Sequence, residues 1–199
     1  EVTRRDFIAG GIKAAAGTAV LGALNPGRVL GANDTINMAV VGIRGRGWNH
    51  CQEWMDNPNV RVVALCDVDE RLFPDKVKAI EEKQKFTPKT YVDMRKMYED
   101  KEIDAVSIAT TDHWHALSAI WACQAGKHVY CEKPTSHNIW EGGKIVEAAR
   151  KYNRIVAAGT QNRSLYNVNE AMRFLHEGGI GKVYMAKGLC FKPRDSIGN

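Results

Sequence analysis

Three groups of residues in this chain have the chemistry to hold a diphosphate, grip a ribose and exchange a proton. The first lies in INMAVVGIRGRG, residues 36–47, where the apolar run Met38-Ala39-Val40-Val41 passes directly into Gly42, Gly45 and Gly47. Glycines at such a turn let backbone approach a diphosphate, and a following helix adds unpaired N–H groups and the positive end of its dipole. The second is Asp67, 25 residues beyond Gly42 at the end of the apolar run Val60–Cys66. A carboxylate there accepts hydrogen bonds from ribose hydroxyls and repels a 2′-phosphate, which favours NAD over NADP. The third is Glu132-Lys133-Pro134. A lysine in that cleft can exchange a proton with a hydroxyl beside a nicotinamide ring.

Each group also has a plainer reading. Asp67 has the type and place of a helix N-cap, and Lys133 could be a turn lysine. Read as G-x-G-x-x-G from Gly42, the loop has Arg44 in its middle glycine position. Arg44 could pair with pyrophosphate, brace the loop or lie on the surface, with Gly45 taking the permissive conformation.

The elements that must carry these residues alternate. The turn Asn57-Pro58-Asn59 precedes a strand over Val60–Cys66. Phe73, Val77 and Ile80 mark one face of a helix, with Pro74 in its first turn. A short strand at Lys89–Val92 and a short helix at Asp93–Tyr98 follow, then a strand over Ile103–Ala109. Trp114, Leu117 and Trp121 line the next helix, closed by Gly126, and His128–Cys131 is a fifth strand. A long helix ends at Lys151, with Ser136 or Asn138 as its start and Ser136 a plausible cap, and Ile155–Ala158 is a sixth strand. This order predicts an α/β fold with a doubly wound parallel sheet, whose ligands bind beyond the carboxyl ends of the strands. The candidate cofactor contacts are therefore Gly42, Ile43, Arg44, Gly45, Gly47, Asp67, Thr110, His115, Glu132, Lys133 and Gln161, and Lys133 is the candidate catalytic residue.

The first 32 residues are read as standing outside this fold. Arg4-Arg5-Asp6-Phe7-Ile8 leads into a Gly/Ala-rich stretch and a small-residue site at Leu30-Gly31-Ala32, the pattern of a twin-arginine export signal. A basic amphipathic helix or a disordered arm is the alternative. The apolar part is too short and glycine-rich for a stable membrane span. The signal predicts an exported, extracytoplasmic protein. Net charge is +5 overall and +3 beyond residue 32, from 24 basic and 21 acidic side chains, without a basic patch for nucleic acid. Five cysteines without a C-x-x-C pair argue against a zinc site or a disulfide framework, so no metal is expected.

Gly42–Gly47, Cys66-Asp67, Thr110-Thr111-Asp112-His113-Trp114-His115 and Gly126-Lys127-His128-Val129-Tyr130-Cys131-Glu132-Lys133-Pro134 together resemble the Gfo/Idh/MocA oxidoreductases from about Asn33 onward. The resemblance implies an NAD-binding domain over 33–160 in which Lys133 contacts nicotinamide and the reacting hydroxyl. It also implies that the segment containing Thr110 and His115 lines the nicotinamide ribose; a capping or packing role for His115 is the other reading. Two departures stand out: Arg44 replaces a glycine, and Thr111 stands where proline is usual. After the Val168, Ala171, Met172, Leu175 helical stripe, Val183–Phe191 reads as a strand opening a second α/β domain over 161–199. Only the start of that substrate-binding and oligomer-forming domain is expected here, so the chain reads as a fragment, inactive by itself.

The implied activity is NAD-dependent oxidation or reduction of a sugar or polyol by a homo-oligomeric full-length protein; because soluble NAD is expected to be scarce outside the cytoplasm, export implies tightly bound, internally recycled NAD. The Arg-Gly-Arg-Gly loop and Trp114-His115 also resemble the branch of redox-neutral NAD-dependent glycosidases, which generally lack the lysine found at Lys133. A non-catalytic NAD-binding module is a third reading. A methyltransferase is disfavoured by Glu132-Lys133-Pro134.

Overall fold

The structure, a computed structural model, describes residues 35–189. The paired-arginine segment, the Leu30-Gly31-Ala32 site and residues from Cys190 onward lie outside the described residues. The elements in chain order are β1 (Ile36–Val41), α1 (Arg46–Met55), β2 (Val60–Cys66), α2 (Phe73–Gln84), β3 (Lys89–Tyr91), α3 (Met94–Tyr98) and β4 (Ala105–Ile108). They continue with α4 (Asp112–Gln124), β5 (His128–Glu132), α5 (Ile139–Lys151), β6 (Val156–Gly159) and α6 (Tyr166–His176). Short 3₁₀ turns occupy Glu70–Leu72 and Gln161–Ser164.

All six strands are parallel, in the order β3-β2-β1-β4-β5-β6. The order reverses between β1 and β4, and a crevice at the strands' carboxyl ends forms at such a reversal. One face of the sheet packs Val40, Val62 and Leu65 against Cys51 of α1 and Phe73 and Ile80 of α2. The other packs Val41, Cys66, Val106 and Cys131 against Met97, Ala119, Ala122 and Ile145. A register shift between β1 and β2 at Met38/Ala39 puts Val63 and Ala64 on the same face and leaves Leu65 on the other. The extra residue of a bulge breaks simple alternation in this way.

Three local expectations are corrected. Asn138, rather than Ser136, caps α5: its side chain accepts from the Glu141 amide at 2.9 Å, and Glu141 accepts in return from the His137 amide at 3.1 Å. This reciprocal pairing satisfies two amides that the start of a helix leaves open. The buried face of α4 is His115, Ala116, Ser118, Ala119, Ala122 and Cys123, while Trp114 and Leu117 remain more than a third exposed. Small residues win the core face because α4 also packs against α5, and short side chains allow close approach. Finally, residues 183–189 are exposed and form no strand. A strand needs a hydrogen-bonded neighbour, and among the described residues none pairs with this segment. Helix α6 forms as expected, with Val168 and Leu175 partly buried and Met172 exposed.

Candidate functional site

The glycine loop leaves β1 at the sheet's reversal. Gly42 has φ +78, and a Cβ there would stand 2.7 Å from the Ala109 carbonyl oxygen and 2.9 Å from the Thr110 nitrogen. Its amide donates to the Cys66 carbonyl at 2.8 Å, so Gly42 ties the ends of β1 and β2 while grazing the end of β4. Gly45 has φ 49 and ψ −110 and precedes α1. It is the residue that takes the permissive conformation in place of the missing middle glycine. Gly47 is buried inside α1, and a Cβ on it would meet the Gly42 carbonyl oxygen at 1.6 Å. The helix can therefore press against the turn only because position 47 has no side chain.

Asp67 braces this loop. Its Oδ2 accepts from the Ile43 amide at 2.9 Å, and its Oδ1 accepts from the Asp69 amide at 3.0 Å. The cap of the following 3₁₀ turn is Asp69, whose side chain accepts from the Arg71 amide, so the N-cap reading of Asp67 is corrected. Each Asp67 oxygen retains acceptor capacity, and the residue is only partly buried. Ile43 is fully buried with its amide taken by Asp67, so it shapes the loop without offering a free donor. Among the described residues, the amides of Gly45 and Arg46 face no protein acceptor.

The two arginines of the loop diverge. Arg44 is exposed and lines a cavity of about 640 Å³ with Gly42, Asp67, Val68, Val92, Thr110, Trp114 and Trp121. The Asp69 carboxyl nearby is held below its usual range, chiefly by the Arg71 hydrogen bond, with a smaller pull from Arg44. Arg46 turns the other way. Its Nε donates to Glu132 Oε1 at 2.8 Å, and Nη1 donates to Glu53 at 3.3 Å.

Glu132 is the centre of the second half of the site. It ends β5 and is 4% exposed. Oε1 accepts from Arg46, from Gln161 Nε2 at 2.6 Å and from His50 Nε2 at 3.3 Å, while Oε2 accepts from the Lys133 amide at 2.8 Å. His50 is buried, and Ser107 lies 2.9 Å from its Nδ1. Burial pushes the His50 imidazole below its ordinary value, against the pull of Glu132. With His50 neutral and Nε2 protonated, Nδ1 is free to accept from the Ser107 hydroxyl. Burial also raises Glu132, but the donors around it outweigh that effect and hold its carboxyl below its usual range.

Lys133 is exposed, and among the described residues its Nζ has no protein partner. Its segment is fixed from both ends: the amide by Glu132, and the carbonyl of Pro134 by His115 Nδ1 at 2.6 Å. The Lys133–Pro134 peptide is cis. His115 Nε2 also lies 3.0 Å from the Thr110 carbonyl, so this buried ring links the β4–α4 turn to the lysine segment. Lys133 lines a second cavity of about 230 Å³ with Arg46, Thr110, Asp112, His115, Glu132 and Gln161. Ala109 and Thr110 line both cavities, which therefore adjoin along the carboxyl ends of β1 and β4.

The fold thus gathers Gly42, Arg44 and Asp67 in one cavity and His115, Glu132, Lys133 and Gln161 in the next, with Thr110 common to both. Gly45 and Gly47 act from beneath, through backbone shape. Sequence reasoning missed Arg46, His50 and Ser107. The first two are four apart on α1 and share a face, and Ser107 is a polar residue in an apolar strand. Those spacings were signals for a buried polar network. Among the described residues no cluster of His, Cys, Asp and Glu could hold a metal ion, and no helix is long and apolar enough to cross a membrane.

The residues fit a dinucleotide: Gly42 and Gly47 form a turn that any Cβ would fill, and open amides sit at the start of α1. Residues 36–160 match the model of the oxidoreductase family with an NAD-binding Rossmann fold, Gfo/Idh/MocA. Among curated relatives, a glycosyl hydrolase family 109 protein of Shewanella pealeana is 29% identical over 70% of this chain and 30% of its own length. A myo-inositol 2-dehydrogenase of Thermotoga maritima is 27% identical over 76% of this chain and 44% of its own length. The chain thus spans less than half the length of these relatives. The solved scyllo-inositol dehydrogenase of Lactobacillus casei, with bound NAD(H) and scyllo-inositol, shares the fold at TM-score 0.65 and 23% identity, over 74% of this chain and 43% of that one. A loop open to pyrophosphate, the acid beyond β2 and the family match over the whole sheet agree, and this chain belongs to the Gfo/Idh/MocA oxidoreductases, whose NAD-binding Rossmann domain it contains.

Proposed function

We propose that the complete protein is an NAD-dependent oxidoreductase acting on a hydroxyl of a sugar or polyol, with Lys133 as its proton-handling residue. The observation that carries this reading is the exposed Lys133 Nζ, without a partner among the described residues, beside the Thr110 turn on a segment fixed by Glu132 and His115. NAD, when bound, supplies a ring that takes up hydride from the substrate carbon. Asp67 has acceptor capacity left for ribose hydroxyls, and the Gly45 and Arg46 amides are open to pyrophosphate. Lys133 Nζ would accept the hydroxyl proton as the carbon gives up hydride, and return it in the reverse direction. The named activities of the inositol dehydrogenase relatives support a polyol substrate. With the export signal read at the N-terminus, alternate oxidation and reduction by two substrates on one retained cofactor completes the proposal.

A second reading has its own support: the glycosyl hydrolase family 109 relative and the Arg-Gly-Arg-Gly loop favour redox-neutral glycoside cleavage. Product analysis with protein expressed from the full gene separates the two. An oxidised product supports the dehydrogenase, whereas free sugar without one refutes it. Lys133→Met should lower turnover by about 10²–10⁴-fold while NADH affinity stays within about threefold. Unchanged turnover would show that Lys133 is not the proton-handling residue.

A further inference from the structure

Arg46 and Glu132 lie 86 residues apart in sequence and meet at 2.8 Å under the site. Arg46 is the first residue of α1, so its backbone belongs to the anion-binding turn while its side chain reaches the end of β5. Glu132 in turn holds the amide of the next residue, Lys133. Glu132 is buried and Arg46 about a third exposed, so desolvation of the carboxylate offsets much of the pair's attraction. What the pair does provide is a continuous chain of hydrogen bonds from the glycine loop to the lysine.

We propose that Arg46 and Glu132, completed by His50 and Gln161, are positioning residues that couple occupation of the glycine loop to the placement of Lys133. The proposal rests on the reading of Lys133 as the group facing nicotinamide and substrate. Three donors converge on Glu132 Oε1 from α1 and the turn after β6, and the Lys133 amide occupies Oε2. The carboxylate cannot rotate without breaking several of these bonds. Four donors already occupy the carboxylate, and among the described residues Lys133 Nζ makes no bond to it. An anion seated on the Gly45 and Arg46 amides fixes the first turn of α1, and Arg46 passes that constraint through Glu132 to the lysine backbone.

The test measures acetylation of Lys133 by an N-hydroxysuccinimide ester, quantified by peptide mass spectrometry with and without saturating NADH. Lys96, exposed on α3, is the internal reference. In the wild-type chain NADH should slow modification of Lys133 by about tenfold and leave Lys96 unchanged. In Arg46→Met and Glu132→Gln, NADH should still bind within about fivefold of wild type, while protection of Lys133 falls below about twofold. Wild-type protection in both variants would overturn the coupling, and so would loss of NADH binding in folded variants, because the pair would then be a binding determinant. Absence of protection in the wild-type chain would instead refute the underlying reading of Lys133. If Glu132→Gln does not fold, Arg46→Met carries the test, since its side chain is about a third exposed and its loss strips one donor while the carboxylate keeps three.

Discussion

The three loop glycines make separable demands, and substituting each by alanine measures them. Gly45 has an unusual backbone conformation, φ 49 and ψ −110, but open space around its missing Cβ. Gly47 has no such backbone demand, but its Cβ would stand 1.6 Å from the Gly42 carbonyl oxygen. Gly42 has both, with φ +78 and the Ala109 oxygen at 2.7 Å. For Gly45→Ala, holding a residue with a Cβ in this sparsely populated backbone conformation costs about 1–3 kcal/mol. Stiffening of the unfolded chain returns about 0.4–1 kcal/mol, so the net loss is about 1–2 kcal/mol. For Gly47→Ala the obstacle is backbone and cannot swing aside. The first turn of α1 must retreat by more than about 1 Å to restore contact distance, which places the cost near the upper end of overpacking, about 3 kcal/mol. That retreat also carries the Arg46 amide out of the roughly 2.7–3.2 Å hydrogen-bond range. If that amide holds the pyrophosphate as proposed, losing one charge-assisted bond costs about 1.5–3 kcal/mol, a weakening of NADH binding by about 10- to 150-fold. Urea unfolding followed by tryptophan fluorescence gives the stabilities, since Trp48 and Trp54 lie on α1. NADH fluorescence titration gives the affinities. The expected order of stability loss is Gly45→Ala below Gly47→Ala, with Gly42→Ala comparable to the latter. Gly45→Ala costing as much as Gly47→Ala, or wild-type NADH affinity in Gly47→Ala, would refute the reasoning.

Other consequences are independent of the loop. Lys127 is buried, and its Nζ donates to the carbonyls of Asp100 and Ile103 at 2.5 and 2.8 Å. Lys127→Met leaves both acceptors without that donor and should cost about 1–3 kcal/mol in urea unfolding, whereas a loss below about 0.5 kcal/mol would contradict this anchoring role. Acid should destabilise the fold in two stages. His50 is held below its ordinary value of 6.5 by burial, so its contribution is complete above 6.5 and declines as pH falls through that value. Glu132 is held below its ordinary 4.5 by its donors despite burial, so its contribution is complete above 4.5 and is lost as pH falls further. Stability flat from pH 7 to 5 would contradict the neutral, buried His50. Burial pushes the thiols of Cys51, Cys66 and Cys131 up to about 12 and raises that of Cys123 as well. Iodoacetamide at pH 8 should leave these four unmodified in the native protein and label all of them in urea, as read by peptide mass spectrometry; rapid native labelling of any one would show that its site is open.

Much of the architecture is local in origin. Apolar runs of strand length alternate with helical periodicities, and a parallel sheet follows because only crossover helices can join such strands. Gly42, Asp67 and Lys133 stand at the ends of those runs, so their convergence at one edge of the sheet was legible once the strands were placed. Asn138 in place of Ser136, and the small-residue face of α4 in place of its tryptophans, were not. Each depended on competition between local options that packing decides. The divergence of Arg44 and Arg46 is the clearest case. The sequence presents two arginines in one loop, equally charged and two residues apart. Only the tertiary structure brings Glu132 under one of them and leaves the other along the cavity wall, because the partner that distinguishes them lies 86 residues away. Residue types and spacing determined that a glycine loop, an acid and a lysine share this fold; a long-range ion pair decided which loop arginine reaches the carboxylate that holds the Lys133 amide.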